Sequence, residues 1–270
     1  MGSLHHTIVE DLRQILGRTL VLVAHSDDEA VGCGALLQRM ADPIVVFATD
    51  SAPRSDYFWK QYGSRQAYAS LRKREAAQAL NAVGVTHFHF VNEENLVVDQ
   101  EVFLNLNRVF ESLSKLIETE LPEAILSLAY EGGHPDHDSC AFLASIAGRR
   151  FELPVWEMPL YHFAHNEVMR SAFIDGASIQ VSPISDELQR KHAMFSAYAS
   201  QAHVLAEFSP EAETVRPMFA YDFSRAPHSG TLNYEAWQWP MKGSDLCEAF
   251  TSFLNQSSNP TRKREWGTAA

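Results

Sequence analysis

Short apolar runs alternate with stretches of helical spacing along roughly the first 165 residues of the chain. The apolar runs are nearly continuous, which is typical of strands buried on both faces of a parallel sheet. Their alternation with helical stretches predicts the α/β class: a Rossmann-like three-layer fold with a mainly parallel sheet. We predict strands at residues 19–24, 44–48, 87–91, 124–129 and 155–158, and helices at 28–40, 68–83, 103–117, 188–198 and after His137.

The alternation blurs after about residue 165. Residues 207–243 are rich in proline, glycine and aromatic residues, so we predict long ordered loops there. Because no repeat or linker divides the chain, we expect one domain at residues 1–256. It would consist of a core at about 19–165 and a C-terminal extension, at about 166–256, that covers the site. Residues 257–270 are polar and basic, and we expect a flexible tail.

The composition is that of an ordinary globular protein, with 46% hydrophobic and 21% charged residues in a chain of 270. The net charge of −12 argues against a nucleic-acid or anionic-membrane partner. Cys33, Cys140 and Cys247 are odd in number and far apart, so neither disulfides nor a zinc–thiolate site is expected. No run approaches the ~20 apolar residues of a membrane helix, and no signal peptide is evident, so we expect a cytoplasmic protein.

Two clusters of histidines and acids follow two of the predicted strands. The first strand runs into VLVAHSDDE at residues 21–29, where His25 and Asp28 are three residues apart. The strand at 124–129 runs into EGGHPDHDS at residues 131–139, where His134 and His137 have the same spacing. Because the carboxyl ends of parallel strands meet at one edge of a sheet, the two clusters are predicted to form one site.

Histidine and carboxylate side chains are normal zinc ligands, and a catalytic zinc ion takes about three of them with one position open for water. Two ligands from the first cluster and one from the second would satisfy this requirement. Asp27 points away from Asp28 and is then free for proton transfer. The alternative is that the acids at residues 27–29 only cap a helix and complement its dipole.

The two clusters together resemble the LmbE-like, or PIG-L-like, zinc-dependent N-deacetylase family. Residues 24–29 (A-H-S-D-D-E) and 134–137 (H-P-D-H) carry the resemblance, and the usual first motif of the family is A-H-P-D-D-E. Ser26 therefore replaces a proline, and Ser51 stands where glycine is common. Weaker agreement extends the resemblance over about residues 19–201, at Thr49-Asp50, at Arg72, Glu75, Ala79 and Gly84, and at Lys191, Tyr198, Ser200 and Gln201.

The resemblance implies a role for each site residue. His25, Asp28 and His137 would bind Zn²⁺, with Fe²⁺ or Co²⁺ as alternatives. Asp27 would be the general base. His134, in its protonated form, would stabilise the oxyanion or protonate the leaving amine, and Asp136 would hold its ring. The implied reaction removes an acetyl group from an N-acetylglucosamine-type sugar or glycoconjugate.

Substrate contacts are predicted from residues near the same edge of the sheet. The loop at 49–63 follows the second strand and offers Arg54, Asp56 and Tyr57 for sugar hydroxyls and rings. Arg72, His162 and His228 are further candidates. Trp237 and Trp239 are expected to pack in the C-terminal extension, with a sugar platform as the alternative. The partner would be a small N-acyl sugar, and homo-oligomerisation is left open.

Three other functions remain as alternatives. An amidase acting on a thiol-sugar conjugate or another small acyl amide would use the same chemistry. A Mg²⁺-dependent phosphohydrolase would use Asp27, Asp28 and Glu29, but imidazole ligands favour zinc over Mg²⁺. A sugar-binding protein with a vestigial site would not need Asp27 or His134.

Overall fold

The computed structural model of the protein describes residues 12–91 and 96–257. Its centre is a seven-stranded sheet in the order β3-β2-β1-β4-β5-β9-β8. The first five strands are mutually parallel, and β9 and β8 add antiparallel strands beyond β5. The predicted mainly parallel sheet is therefore confirmed. The strands are β1 Arg18–Val23, β2 Asp42–Phe47, β3 Phe88–Phe90, β4 Ala124–Leu128, β5 Val155–Met158, β8 Ile179–Val181 and β9 Glu213–Pro217; a separate hairpin contains β6 Tyr161–Ala164 and β7 Glu167–Arg170.

The order of the strands reverses at β1. From β1 the chain proceeds outward to β2 and β3, and then returns to the other side of β1 with β4 and β5. In register, Val23 lies opposite Phe47, and Leu22 lies opposite Ser127. The segments that follow β1 and β4 therefore emerge side by side, at the topological switch point where α/β proteins bind ligands.

Six of the eight α-helices of the described residues flank the sheet in two groups. In one group α2 packs on α5, and α1 also contacts α5; in the other, α3, α4 and α8 pack together. These helices cover β1, β2, β4 and β5, whose side chains are mostly buried, as the apolar runs of the sequence predicted. The helices are α1 Asp28–Cys33, α2 Arg65–Ala82, α3 Leu106–Glu120, α4 Pro135–Phe151, α5 Ser185–Ala197, α6 Ala202–Leu205, α7 Asn233–Ala236 and α8 Gly243–Ser257.

The helix α1 is shorter than the predicted helix at residues 28–40. After Cys33 the chain leaves the α-helical pattern and forms a 3₁₀ turn at Leu36–Gln38. The amides of Ala35 and Leu36 donate to the Glu213 carboxylate, at 2.6 and 2.9 Å. A buried side chain from a distant strand thus takes hydrogen bonds that would otherwise continue the helix, and no local pattern signals it.

The region at residues 207–243, predicted as loops, contains β9 and α7. The strand β9 was missed because its buried positions include two charged residues. Glu213 accepts a hydrogen bond from Lys191 at 2.7 Å, and Arg216 donates to Glu157 at 2.6 Å. These ion pairs replace the apolar residues that mark a buried strand, so the segment does not resemble one in sequence.

Among the described residues, no helix combines the length and the apolar character that crossing a membrane requires. Ser257 ends α8. The rest of the predicted flexible tail, residues 258–270, lies outside the described residues.

Replacing Lys191 by methionine should lower the free energy of unfolding by about 3–5 kcal/mol, because it leaves the fully buried Glu213 carboxylate without its cation. Combining Lys191→Met with Glu213→Gln should restore most of that stability. Lys242→Met, at an exposed lysine, is the control and should change it by less than ~0.5 kcal/mol. Urea unfolding followed by tryptophan fluorescence measures all three. A double variant no more stable than the single one would contradict this account.

Candidate active site

The turn that follows β1 is closed by the side chain of Asp28. Its Oδ2 atom accepts hydrogen bonds from the amides of Ala24 and His25, at 3.0 and 2.8 Å. Burial opposes the ionisation of Asp28, but His137 and His25 outweigh it and hold the pKa of this carboxyl well below its usual range. The carboxylate is thus fixed and charged, and Oδ1 remains directed at His137, 3.3 Å away.

His137 reaches the same point from the first turn of α4. A sharp bend at Gly132 and Gly133 leads into this helix; Gly132 has a φ of +71°. A side chain at Gly133 would collide with the carbonyl oxygen of Tyr161, so glycine is required there. The bend brings His137 Nε2 to 3.3 Å from Nδ1 of His25.

Three side chains therefore face one another: His25, Asp28 and His137. His137 Nε2 lies 3.3 Å from His25 Nδ1 and 3.3 Å from Asp28 Oδ1, and His25 Nδ1 lies 3.6 Å from the other Asp28 oxygen, Oδ2. Ligand atoms roughly 2.0–2.1 Å from a tetrahedral zinc ion lie about 3.3–3.4 Å apart, so the two distances to His137 and the donor chemistry fit such an ion. We call these three residues the ligand triangle.

A second set of atoms lies on the other side of the His25 ring. Nε2 of His25 is 3.1 Å from Asp136 Oδ2 and 3.3 Å from Asp99 Oδ1. His25, Asp99, His134 and Asp136 thus also cluster closely, as do His25, His134 and His137. We favour the ligand triangle, because two amides bind Oδ2 of Asp28 and leave its Oδ1 without an amide donor, whereas each oxygen of Asp136 accepts from an amide.

The position of Asp136 differs from the prediction that it holds the His134 ring. Its carboxylate accepts from the amides of Gln100 and Val102, at 2.6 and 2.9 Å, and lies against His25. Nδ1 of His134 is 4.0 Å from that carboxylate and instead accepts from the Asp136 amide, capping α4. Asp136 therefore orients a member of the ligand triangle, as carboxylates that bind the outer ring nitrogen of a metal-binding histidine commonly do.

The surroundings of His134 favour the neutral ring over the protonated form that was expected. Burial, together with the nearby rings of His25 and His137, lowers the pKa of His134 well below its usual value. Since Nδ1 accepts a hydrogen bond, the proton of the neutral ring is on Nε2. That atom lies 3.5 Å from Asp99 Oδ1.

Asp99 is a site residue that the sequence analysis missed. It lines the same cavity as His25 and His134 and stands within 3.5 Å of both rings. A signal for it was present, because Asp99 follows the predicted strand at residues 87–91 as the other clusters follow theirs. The separation of several residues from the end of β3 obscured it.

Asp27 stands beside the ligand triangle in a strained backbone conformation, with a φ of 127°. Its Oδ2 atom lies 2.9 Å from the guanidinium of Arg72, and its amide donates to Glu29 at 3.1 Å. Burial raises the pKa of Asp27, and the Arg72 cation works in the opposite direction. Backbone strain of this kind persists where surrounding contacts impose it, commonly at functional sites.

Arg72 was predicted to contact substrate, and it does line the cavity. Its guanidinium, however, is occupied by the Ser26 carbonyl oxygen and by the carboxylates of Asp27 and Glu75. With a side chain only 3% exposed, it is better described as the residue that positions Asp27. Glu75 in turn accepts from the amide and hydroxyl of Ser200, at 2.8 and 2.6 Å.

Glu29, to which no chemistry was assigned, contacts the backbone of Asp27. It is fully buried and accepts hydrogen bonds from the Asp27 amide and from the Tyr198 hydroxyl. Burial raises the pKa of Glu29 to about 8.

The two departures from the family motif contact each other. The Ser26 amide donates to Ser51 Oγ at 2.8 Å, and the two hydroxyls are 3.2 Å apart. A proline at position 26 would have no such donor, and a glycine at 51 would have no acceptor. Ser51 also takes a positive φ of 54°, which is the conformation that glycine favours.

A cavity of about 490 Å³ opens over the ligand triangle. The triangle, Asp27, Asp99 and His134 belong to its polar part, together with Ser51, Arg72, Gln100, Arg170, Gln201 and Glu207, and the rest of its wall is rich in aromatic side chains. Trp237 and Trp239, expected to pack in the C-terminal extension, belong to this wall, and the Trp239 ring centroid is 4.9 Å from that of His134. The aromatic residues of the wall are Tyr57, Phe58, Tyr68, Tyr161, Phe208, Trp237 and Trp239.

Four predicted substrate residues are not among those lining the cavity. Arg54 is exposed and paired with Glu101, and Asp56 is exposed nearby. His162 is buried with Nδ1 3.4 Å from Glu131 Oε2, and His228 lies against the bend at Gly132. Of Arg54, Asp56 and Tyr57, the residues predicted from the loop at 49–63, Tyr57 alone lines the cavity, and its exposed ring lies at the rim.

Comparison with known proteins agrees with this architecture. Residues 20–147 match the family described as "PIG-L: GlcNAc-PI de-N-acetylase". Among solved structures, the chain is similar to a deacetylase of the teicoplanin biosynthetic pathway, with 18% identity, a TM-score of 0.59, and coverage of 76% of this chain and 99% of that one.

Two further structures share the fold. The deacetylase of the A40926 pseudoaglycone is 19% identical, with a TM-score of 0.57 over 76% of this chain and 98% of that one. A 4-carboxy-2-hydroxymuconate hydratase from Pseudomonas putida is 16% identical, with a TM-score of 0.50 over 94% and 91%. At these identities the likeness establishes the fold alone, and the hydratase illustrates that one fold serves several reactions.

If the ligand triangle binds the metal ion, Asp28→Ala should lose it, whereas His134→Gln should retain the wild-type metal content. Asp136→Asn should weaken metal binding ~10–100-fold, because it removes the partner of the His25 ring. Atomic emission spectrometry after dialysis against a chelator measures the metal bound per chain. Loss of metal from His134→Gln with retention in Asp28→Ala would place the ion among the three histidines instead.

Proposed function

Because residues 20–147 form a domain of the PIG-L family, we propose that this chain is a metal-dependent N-deacetylase. It would remove an acetyl or other acyl group from the amide nitrogen of an N-acetylglucosamine-type sugar or glycoconjugate. The observation that carries the proposal is the ligand triangle, with Asp27 beside it on the wall of one cavity. Zinc is the proposed metal, and Fe²⁺ or Co²⁺ suits the same ligands.

A bound divalent cation would lower the pKa of a water molecule and polarise the acyl carbonyl group. The residues of the chain supply the proton transfers around it. Asp27 is placed to accept the proton of the attacking water as general base. Burial raises the pKa of Asp27, and Arg72, 2.9 Å from its carboxylate, opposes that rise and favours the ionised form.

His134 is proposed to act as a hydrogen-bond donor in its neutral form. Its Nε2–H group lies in the cavity wall, where it can donate to the developing oxyanion or to the departing nitrogen. The Asp136 amide fixes the ring through Nδ1, at 3.1 Å. A donor fixed before the reaction needs no reorganisation when charge develops on the substrate.

The shape of the cavity supports a small substrate with an apolar face. Its volume is within the usual range for small-molecule sites, roughly 300–1,000 Å³. Aromatic rings such as Tyr161 and Trp239 offer flat surfaces to a sugar ring, while the polar part of the cavity would hold the amide. Tyr57 and Phe58 at the rim would contact the aglycone side of a glycoconjugate.

The site supports two of the alternative functions to different degrees. An amidase acting on a thiol-sugar conjugate would use the same residues, and a substrate panel separates it from a deacetylase. The Mg²⁺-dependent phosphohydrolase is disfavoured, because two imidazoles belong to the ligand triangle and Glu29 is bound to Tyr198 away from the cavity.

We also propose that residues 1–256 work as one unit. Support comes from β9, which adds to the sheet beside β5, and from Trp237 and Trp239 in the cavity wall. The C-terminal extension would then select the substrate while the parallel strands carry the metal ligands.

Replacing Asp27 by asparagine should lower kcat by ~10²–10⁴-fold, because the amide cannot accept the proton of water. The metal content should stay unchanged, since Asp27 is outside the ligand triangle. Acetate release from a panel of N-acetylglucosamine derivatives gives kcat, and Asp56→Asn, at an exposed aspartate, is the matched control. Full activity of Asp27→Asn would exclude Asp27 as the base, and acetate from none of the derivatives would overturn the proposed function.

The acid limb of the kcat/KM profile should depend on Arg72. The base works only when ionised, so activity rises with pH through its pKa. Arg72→Met removes the cation that lowers the pKa of Asp27 and should therefore move the limb to higher pH. Arg72→Lys keeps the charge and should move it less, and Arg54→Met is the control at an exposed arginine. If the acid limb of a folded Arg72→Met variant stayed at the wild-type pH, the proposed effect of Arg72 on the pKa of Asp27 would be wrong.

A further inference from the structure

A second group of possible metal ligands lies at the edge of the sheet, among residues that do not line the cavity. It consists of His87, His89 and Glu120, whose ligand atoms all lie within 4.8 Å of one another. We propose that these three residues form a second binding site for a divalent transition-metal ion. The proposal is independent of the proposed deacetylase activity.

The backbone holds the two histidines on one side of the edge strand. His89 is in β3, opposite Val46 of β2, and the carbonyl oxygen of His87 accepts from the Val45 amide at 3.1 Å. Since side chains alternate along a strand, His87 and His89 point to the same face, with ring centroids 5.2 Å apart. The site is thus built on a paired strand and does not depend on a loop conformation.

Glu120 completes the group from the last residue of α3. Its Oε1 atom is 3.3 Å from Nε2 of His87 and 3.5 Å from Nε2 of His89. These distances are close to the ligand–ligand edge of a tetrahedral zinc site, about 3.3–3.4 Å. Nε2 of His89 is buried and has no hydrogen-bond partner among the described residues, and an ion would satisfy it.

Arg18 prepares the carboxylate for this role. Its guanidinium binds the other oxygen of Glu120, Oε2, at 2.8 Å and leaves Oε1 facing the histidines. The same guanidinium also pairs with Asp42. One cation therefore serves two carboxylates, so the neighbourhood keeps a net negative charge that favours a cation. Metal-binding carboxylates are commonly oriented by such second hydrogen bonds.

The ligand set selects the class of ion. Two imidazoles and one carboxylate suit Zn²⁺, Ni²⁺, Co²⁺ or Cu²⁺, whereas Mg²⁺ and Ca²⁺ prefer oxygen ligands. The side chains of His87 and His89 are 34% and 30% exposed, so an ion can reach them from solvent. Bound there, it would join the short edge strand β3 to the end of α3.

The test titrates Zn²⁺ into protein whose cavity site already holds metal, using isothermal titration calorimetry. Wild-type protein should bind one further ion per chain. His87→Gln and His89→Gln should each weaken that binding by at least ~10-fold, as loss of a ligand requires. His192→Gln, at an exposed histidine of α5, is the matched control and should leave the affinity within about twofold.

A stability measurement adds a second readout. Excess Zn²⁺ should raise the unfolding temperature of metal-loaded wild-type protein and of the His192→Gln variant, but not of His87→Gln or His89→Gln, because only a folded-state site is stabilised by its ligand. Absence of a further ion in wild-type protein would overturn the proposal. Equal zinc affinity in the two histidine variants and the wild type would also overturn it.

Discussion

The hydrogen bonds from two backbone amides to the Asp28 carboxylate are the interaction on which the rest of the site depends. They close the turn after β1 and fix one oxygen of Asp28, while the other faces His137 across the switch point of the sheet. The turn also forces Asp27 into its strained conformation, which separates the side chains of two adjacent aspartates. Asp28 can then belong to the ligand triangle while Asp27 lies beside it.

Behind this turn, buried polar side chains connect distant parts of the chain. Tyr198 binds Glu29, and Ser200 binds Glu75, which in turn contacts Arg72. These contacts explain a stretch that was only weakly informative in the sequence, since residues 191–201 supply partners for groups in α1 and α2. Ionisable groups buried this deeply require such partners, because an unpaired charge would destabilise the fold by several kcal/mol.

The sequence was sufficient to predict the parallel sheet and the meeting of the two clusters, because both follow from local patterns. Near-continuous apolar runs identify buried strands, and the carboxyl ends of such strands converge wherever the sheet forms. What could not be predicted depends on long-range contacts. Glu213 determines where α1 ends. Buried ion pairs replace the apolar residues expected in β9. Asp136 contacts His25 because residues 100–102 supply the amides that orient it.

Because β9, which pairs with β5, comes late in the chain, the ligand triangle and the aromatic wall of the cavity are synthesised at different times. His25, Asp28 and His137 all belong to the first 137 residues, within the parallel part of the sheet. Trp237 and Trp239 leave the ribosome about one hundred residues later, after β9 has become available to pair. A nascent chain therefore contains every residue of the ligand triangle before it contains the aromatic wall. Variation in the late segment can then alter the wall of the cavity without disturbing the ligand triangle.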